Sequence, residues 1–292
     1  MSAIEWIATA GGLLLVTAAL RDVFHTLLHP SGRGQLSPLV FSAVWRVAHR
    51  LGGRAMDLAG PLGLVASIAL WTLMLVIGWA LVYWPHMPQA FEVVDGIPAS
   101  AHAGLLDAVY LSGVALSTLG FGDIVAEEPA LRLALALEAL IGFGLLTASI
   151  SWVLLIYPAL MRRRALAARI STLLTDEPDG VRLVPGDPPS ALAVVLHGLS
   201  EQLRTNHVDL IQYPASYFFL DPGPALSLPP ALCRLESAIT RNDMPDPLRP
   251  AAKAVEASIE GLASTLRQPP FRLAAENVRD MLGAYAADHN RS

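Results

Sequence analysis

Charge is what this sequence has least of. Only 15% of its 292 residues are Asp, Glu, Lys or Arg, against roughly 25% in soluble proteins. The shortage is local: residues 1–161 hold 6 Arg and 10 acids, whereas residues 162–292 hold 29 charged residues. That first part excludes a single soluble globule and a disordered tail. A lone cysteine, Cys233, forms no intrachain bridge and offers no metal framework, which excludes a disulfide scaffold. A net charge of −5 with only short arginine runs argues against nucleic-acid binding. The sequence also lacks a paired catalytic motif, a phosphate loop, a zinc helix and a dinucleotide fingerprint. It reads as a non-enzyme without a cofactor. No apolar span carries arginine at every third position, so a voltage sensor is excluded.

What the first part does contain is long apolar runs. Leu58 to Phe91 has no charged residue over 34 positions, and about 20 suffice to cross a bilayer core. Its best window, Pro61–Trp84, ends in Trp79, Tyr83 and Trp84, which predict an interfacial aromatic belt. Leu133–Met161 is broken only by Glu138, with Pro158 expected to end that helix. Trp6–Leu20 is shorter and extends through Val23, Phe24 and Leu28. Met1–Glu5 lacks the basic start of a signal peptide, so this span is read as retained. The expectation is an all-α membrane protein with three transmembrane helices, a re-entrant helix and a cytoplasmic helical domain.

Arginine sets the orientation. Arg21, Arg33, Arg46, Arg50 and Arg54 lie between the first two spans, and Arg162, Arg163 and Arg164 follow the third. Residues 85–130 hold no Lys or Arg but six acids: Glu92, Asp95, Asp107, Asp123, Glu127 and Glu128. The positive-inside rule then puts the N-terminus outside, 21–57 in the cytoplasm, 85–130 outside, and the C-terminal half in the cytoplasm, in a cell membrane. The domains are read as 1–57 (first span and cytoplasmic helix), 58–161 (the other two spans and their connection) and 162–292 (cytoplasmic helical domain).

Within the first connection, Leu36–Arg54 predicts an amphipathic helix. Val40, Val44, Ala48 and Leu51 share one face, and Arg46, Arg50 and Arg54 another. It either lies on the membrane with its arginines at anionic lipid, or packs on the C-terminal domain. Asp22, His25 and His29 recur at i, i+3 and i+7, a spacing open to metal but more often that of polar anchors. In the C-terminal part, three apolar stripes predict a helical bundle: Leu192–Leu203, Ala252–Leu266, and Ala274, Val278, Met281, Tyr285. The segments 174–190 and 221–230 are read as loops.

The connection between the last two spans carries the chemistry. Gly104–Ser117 is an apolar stretch of helix length, roughly 21 Å, too short to span and suited to re-entry. Thr118-Leu-Gly-Phe-Gly-Asp123 follows at once. Two glycines two apart permit backbone angles that let successive carbonyls point one way. A row of aligned carbonyls can replace the hydration shell of a cation.

These residues resemble the pore helix and selectivity filter of potassium channels, and Gly142-Phe-Gly-Leu-Leu-Thr-Ala-Ser149 resembles the inner helix of the small bacterial members. The resemblance covers about 58–161. It implies K⁺ bound by carbonyls of Thr118, Leu119, Gly120 and Phe121, with Gly122 turning the chain away and Asp123 and Glu127 gathering cations at the outer mouth. It implies a homotetramer, because four such strands ring one pore. Tyr110 and Glu138 are read as filter supports, Gly142 and Gly144 as hinge candidates, and Thr147 and Ser151 as cavity-lining. The family usually has tyrosine at 121. Here Phe121 lacks the hydroxyl, and the pore-helix positions that would receive it are Leu111 and Ala115, so all partners are lost together. That departure leaves a weakly selective cation channel as an alternative. A non-conducting membrane receptor or scaffold is another.

Overall fold

The computed structural model describes residues 2–28, 34–93, 104–177, 180–183, 189–241 and 244–289. His29, Arg33 and Asp95 lie outside these residues. Helix accounts for 79% of the described residues, and the only strands among them are two short antiparallel pairs, so the fold is that of an all-α membrane protein. Among the described residues, three helices are long and apolar enough to cross a bilayer: α1 (Ala3–Val23, continued by a π-turn to Leu28), α3 (Arg54–Tyr83) and α5 (Pro129–Leu173). Between α1 and α3 lies α2 (Leu36–Leu51). Between α3 and α5 come β1 (Phe91–Val93), α4 (Leu105–Leu116) and β2 (Ile124–Ala126). The chain divides into two compact units, Met1–Ser37 with Val65–Leu154, and Pro38–Leu64 with Leu155–Ser292.

In the first unit, small residues bring α1 onto α3. A Cβ on Gly12 would strike the Gly78 carbonyl, and one on Gly78 would come within 2.7 Å of the Val16 side chain. Backbones that approach this closely gain the dispersion contacts that hold helices together in lipid. Asp22 is buried near the end of α1, and its carboxylate accepts from the N–H groups of Gln35 (2.5 Å), Leu36 (2.8 Å) and Ser37 (3.3 Å). It thereby caps the start of α2 from another helix, since Gln35 is a poor local N-cap. Its second oxygen also accepts from Trp71 Nε1 at 2.8 Å, and Trp71 lies against Trp152 of α5 at 5.5 Å between ring centroids. Both oxygens of Asp22 are thus engaged by protein donors, and His25 meets Phe24 edge-on. The metal reading of Asp22, His25 and His29 has no support among the described residues, which contain no group of three potential metal ligands. The aromatic belt is also corrected: Trp79 and Tyr83 are core residues, 5% and 0% exposed.

In the second unit, α2 presents Phe41, Trp45 and Ala48 to the interior, while Leu51 is 73% exposed. Of the expected stripe Val40, Val44, Ala48 and Leu51, Ala48 is buried, Val40 and Val44 are half-buried, and the buried face is turned toward the aromatics. The helix also stops at Leu51, so Arg54 belongs to α3 and not to the face of Arg46 and Arg50. Aromatic rings bring the larger area, roughly 150–250 Å² each, and win the choice of face. Trp45 packs on Tyr217, Phe218 and His289, and its Nε1 donates to Asp288 at 3.1 Å. Helices α6 (Pro189–Gln212), α7 (Leu228–Ile239), α8 (Arg249–Leu266) and α9 (Val278–Asp288) form the expected bundle around Leu196, Leu199, Leu232, Leu235, Ile259 and Leu282.

Three expectations fail here. Pro158 does not end its helix, because α5 runs on to Leu173; one forgone backbone bond is a small part of so long a helix, and membrane helices accommodate proline. Residues 174–190 are not all loop, since β3 (Leu174–Glu177) pairs with β4 (Gly180–Leu183). Ala274 lies before α9 and is exposed, so the third stripe begins at Val278.

Candidate functional site: the pore loop and its supports

Helix α4 has 12 residues, roughly 18 Å of rise. Asp107 in its first turn accepts from the Gly104 N–H at 3.1 Å. Its other end closes in a Schellman motif: the Thr118 N–H donates to Ala115 O (2.9 Å) and the Leu119 N–H to Val114 O (3.1 Å). That motif places Thr118 at the left-handed position glycine normally takes, with φ 62°. For a β-branched residue this is strained, at a cost of about 1–3 kcal/mol. Nothing in the helix end requires threonine there, so the hydroxyl is the reason to look for.

The backbone then alternates. Thr118, Gly120 and Gly122 have φ of 62°, 57° and 76°, and Leu119 and Phe121 between them do not share the left-handed region. Alternating the hand of successive residues brings peptide groups that would otherwise face opposite ways to the same side, which is the arrangement a column of cation-binding carbonyls needs. Leu119 and Phe121 are 61% and 63% exposed in the single chain. Behind the loop lies a cavity of about 400 Å³ whose wall includes Leu111, Val114, Ala115, Ile124, Leu135 and Ala139. The two pore-helix positions that lack polar groups, Leu111 and Ala115, are both in that wall.

The outer end of the loop is pinned twice. The Tyr110 hydroxyl donates to Asp123 Oδ2 at 2.7 Å, so the residue expected to support the filter meets the residue expected at its mouth. Beyond Asp123, β2 pairs with β1 through Phe91↔Ala126, Glu92↔Val125 and Val93↔Ile124, and the Glu127 N–H donates to Ala90 O at 2.9 Å. The strand leaving the loop is thus tied to the segment that follows α3. The Glu127 side chain remains exposed.

Glu138 is wholly buried. One carboxylate oxygen accepts from Ser112 Oγ at 2.5 Å and the other from the Tyr83 hydroxyl at 2.8 Å. A single side chain on α5 therefore joins the pore helix α4 to the outer helix α3. Glu138 does not reach up to Arg132, whose Nε donates to Ala126 O at 2.8 Å. Ser112 was not singled out by the sequence, and Tyr83 only as an interfacial aromatic. The usable signal was a buried acid in an apolar span, which demands hydroxyl or amide donors at the same depth.

One turn further in, Gly142 is a close-approach glycine. A Cβ there would overlap the Leu116 carbonyl at the end of α4. Gly144 has open space around its missing Cβ, and α5 is continuous through both. Thr147 and Ser151 are exposed, each donating to the carbonyl four residues back, Phe143 and Thr147, at 2.9 Å. With their protons turned to the helix, these hydroxyls present lone pairs outward, suited to a cation-bearing cavity.

Residues 69–155 match a family described as ion channel. The chain is 28% identical over 166 residues to the uncharacterized membrane protein YdjJ of Bacillus subtilis (strain 168), an alignment covering 56% of this chain and 48% of that protein. It thus spans about half the length of the relative it matches. No solved structure matches the chain. The match encloses α4, the alternating loop, Glu138 and the glycines of α5. Over residues 69–155 the chain is thus similar to an ion-channel family, and its long apolar helices are those of a membrane protein.

Proposed function

We propose that four copies of this chain assemble around one axis and conduct K⁺ passively. In this reading, potassium ions shed water onto the carbonyls of Thr118, Leu119, Gly120 and Phe121, and repulsion between ions in adjacent sites drives throughput. The observation that carries it is the alternation of left-handed backbone at Thr118, Gly120 and Gly122, directly after a short pore helix. A strained threonine at the inner end supports the same reading, because its hydroxyl completes the innermost ion site. The N-terminus and residues 85–130 lie outside, and the helical C-terminal part lies in the cytoplasm. Arg46, Arg50 and Arg54 are exposed alongside Leu39, Val47 and Leu51, a combination that suits the anionic headgroup layer of the inner leaflet.

One observation favours a second reading, weak selectivity between K⁺ and Na⁺. Phe121 has no hydroxyl to anchor it, and the pore-helix residues on the cavity behind the loop, Leu111, Val114 and Ala115, are apolar, although Thr118, Asp123 and Arg132 also border that cavity. Current through the purified protein in liposomes with opposed K⁺ and Na⁺ gradients separates the two. A reversal potential that follows K⁺ supports the selective channel, one indifferent to exchanging K⁺ for Na⁺ supports the weak one, and no current supports a non-conducting scaffold.

A further inference from the structure

The arginines that follow Met161 are anchored, each to a definite partner. Arg162 holds the Asp209 carboxylate with two hydrogen bonds at 2.8 and 2.7 Å. Arg163 is 6% exposed and donates to the carbonyls of Ser216 (2.7 Å) and Phe219 (2.6 Å) and to Asp221 (2.9 Å). Arg164 donates to the same Asp221 oxygen at 3.0 Å. A planar guanidinium with three fixed acceptors sets direction as well as position. Arg162 is thus held by α6, while Arg163 and Arg164 tie this turn of α5 to one short segment, Tyr213–Asp221.

That segment also reaches the inner ends of the other helices in the same unit. A Cβ on Gly60 of α3 would lie 2.5 Å from the ring of Phe219, so the ring fills the place a side chain would take. Phe218 stacks on Phe41 of α2 at 5.2 Å and meets Trp45 edge-on at 5.6 Å. Phe41 in turn covers Gly63, one turn from Gly60. Tyr217, Phe218 and Phe219 are all nearly fully buried. The far side of the segment, at Leu220 and Asp221, borders a cavity of about 490 Å³ shared with Ser227, Pro230, Ala286 and His289. One flank is therefore tightly packed and the other borders free volume, which leaves the segment room for a second position.

We infer that residues 213–221 are the coupling element through which the C-terminal helical bundle sets the inner ends of the pore-domain helices. Phe219 positions α3 at Gly60, Arg163 ties α5, and Phe218 ties α2. Packed interfaces of this kind switch between discrete arrangements instead of deforming smoothly, so a shift of the segment moves three helix ends together. These are positioning residues, far in sequence from the ion-binding loop. The inference rests on the channel reading.

Single-channel recording of the full-length protein in planar bilayers tests it, with Gly60→Ala, Phe219→Ala and the double variant. Each single change is expected to alter open probability by about three- to thirty-fold, with unitary conductance and reversal potential unchanged. The double variant is expected to return toward wild type, because removing the ring makes room for the methyl group. Phe219→Leu and Arg163→Lys supply the same comparison if the alanine variant does not assemble. Open probability equal to wild type in the single variants, or effects that simply add in the double variant, overturns the coupling. Absence of current from the wild type is a different result: it overturns the channel reading, and the coupling with it.

Discussion

Glutamine at position 138 is the sharpest perturbation of the pore loop's support. The carboxylate accepts from two hydroxyls at once, Ser112 at 2.5 Å and Tyr83 at 2.8 Å. A glutamine of nearly the same shape keeps one acceptor oxygen and turns an NH₂ donor toward the other hydroxyl. One of the two bonds is lost, and a hydroxyl proton then faces an amide proton in a buried site. Losing one such bond costs about 0.5–1.5 kcal/mol, and stranding the buried hydroxyl adds about 1–3 kcal/mol. Glu138→Gln is therefore expected to destabilise the pore domain by about 2–4 kcal/mol. The loss falls on the junction of α3, α4 and α5, so it loosens the pore helix and shortens the time the loop stays conductive. Macroscopic current from reconstituted channels measures that time, and denaturant unfolding measures the stability. Tyr83→Phe removes the same bond from the other side, so the double variant is expected to be distinctly non-additive. Unchanged current decay and unchanged stability in Glu138→Gln would refute the reasoning.

Three further outcomes follow from the same geometry. Gly142→Ala drives a methyl group into the Leu116 carbonyl and is expected to cost about 1–3 kcal/mol and to abolish conduction, whereas Gly144→Ala meets open space and leaves the reversal potential unchanged; thermal unfolding and flux measure both. Thr118→Gly relieves a left-handed threonine and is expected to raise stability by about 1–2 kcal/mol while lowering K⁺ conductance, and Thr118→Ala is expected to lower conductance without that gain. His289 is buried in the C-terminal bundle with Nε2 2.7 Å from the Tyr217 carbonyl, and burial first, then Arg163, push its pKa down to about 4. The unfolded chain takes up that proton near 6.5, so between these values it binds more protons than the folded form, and stability falls as pH falls, by about 2 kcal/mol at pH 5; denaturant unfolding at pH 7.5 and pH 5 checks it, and a bundle more stable at pH 5 contradicts it.

The helices were legible because their physics is local. Runs such as Pro61–Trp84 announce a span by length and hydropathy, and Gly104–Ser117 announces a re-entrant helix by being apolar yet too short. The acid at 138 stood out for the same reason, since charge in an apolar run has to be explained. Its partners were not legible. Tyr83 sits at the end of its span, where an aromatic reads as an interfacial anchor, and only the crossing of α3 and α5 turns its hydroxyl inward. Asp22 was read with His25 and His29 as a metal spacing or a polar anchor, not as the cap of α2, because its donors lie 13 to 15 residues along the chain. The missing N-cap at Gln35 was the clue. The face of α2 was only partly legible: Ala48 of the stripe Val40, Val44, Ala48 and Leu51 is buried, but the aromatic pair Phe41–Trp45 lies one residue from Val40 and Val44, and periodicity alone does not weigh their areas. The short β1–β2 pair joins segments more than 30 residues apart in register, a pairing that three-residue strands cannot signal.

The most direct test of the account is the reversal potential of purified, reconstituted protein when K⁺ on one side is replaced by Na⁺. The account predicts a current that reverses near the K⁺ equilibrium potential and moves with it as the K⁺ gradient is changed. A current that ignores the exchange, or no current at all, would contradict the assignment of Thr118–Phe121 as a potassium-binding column.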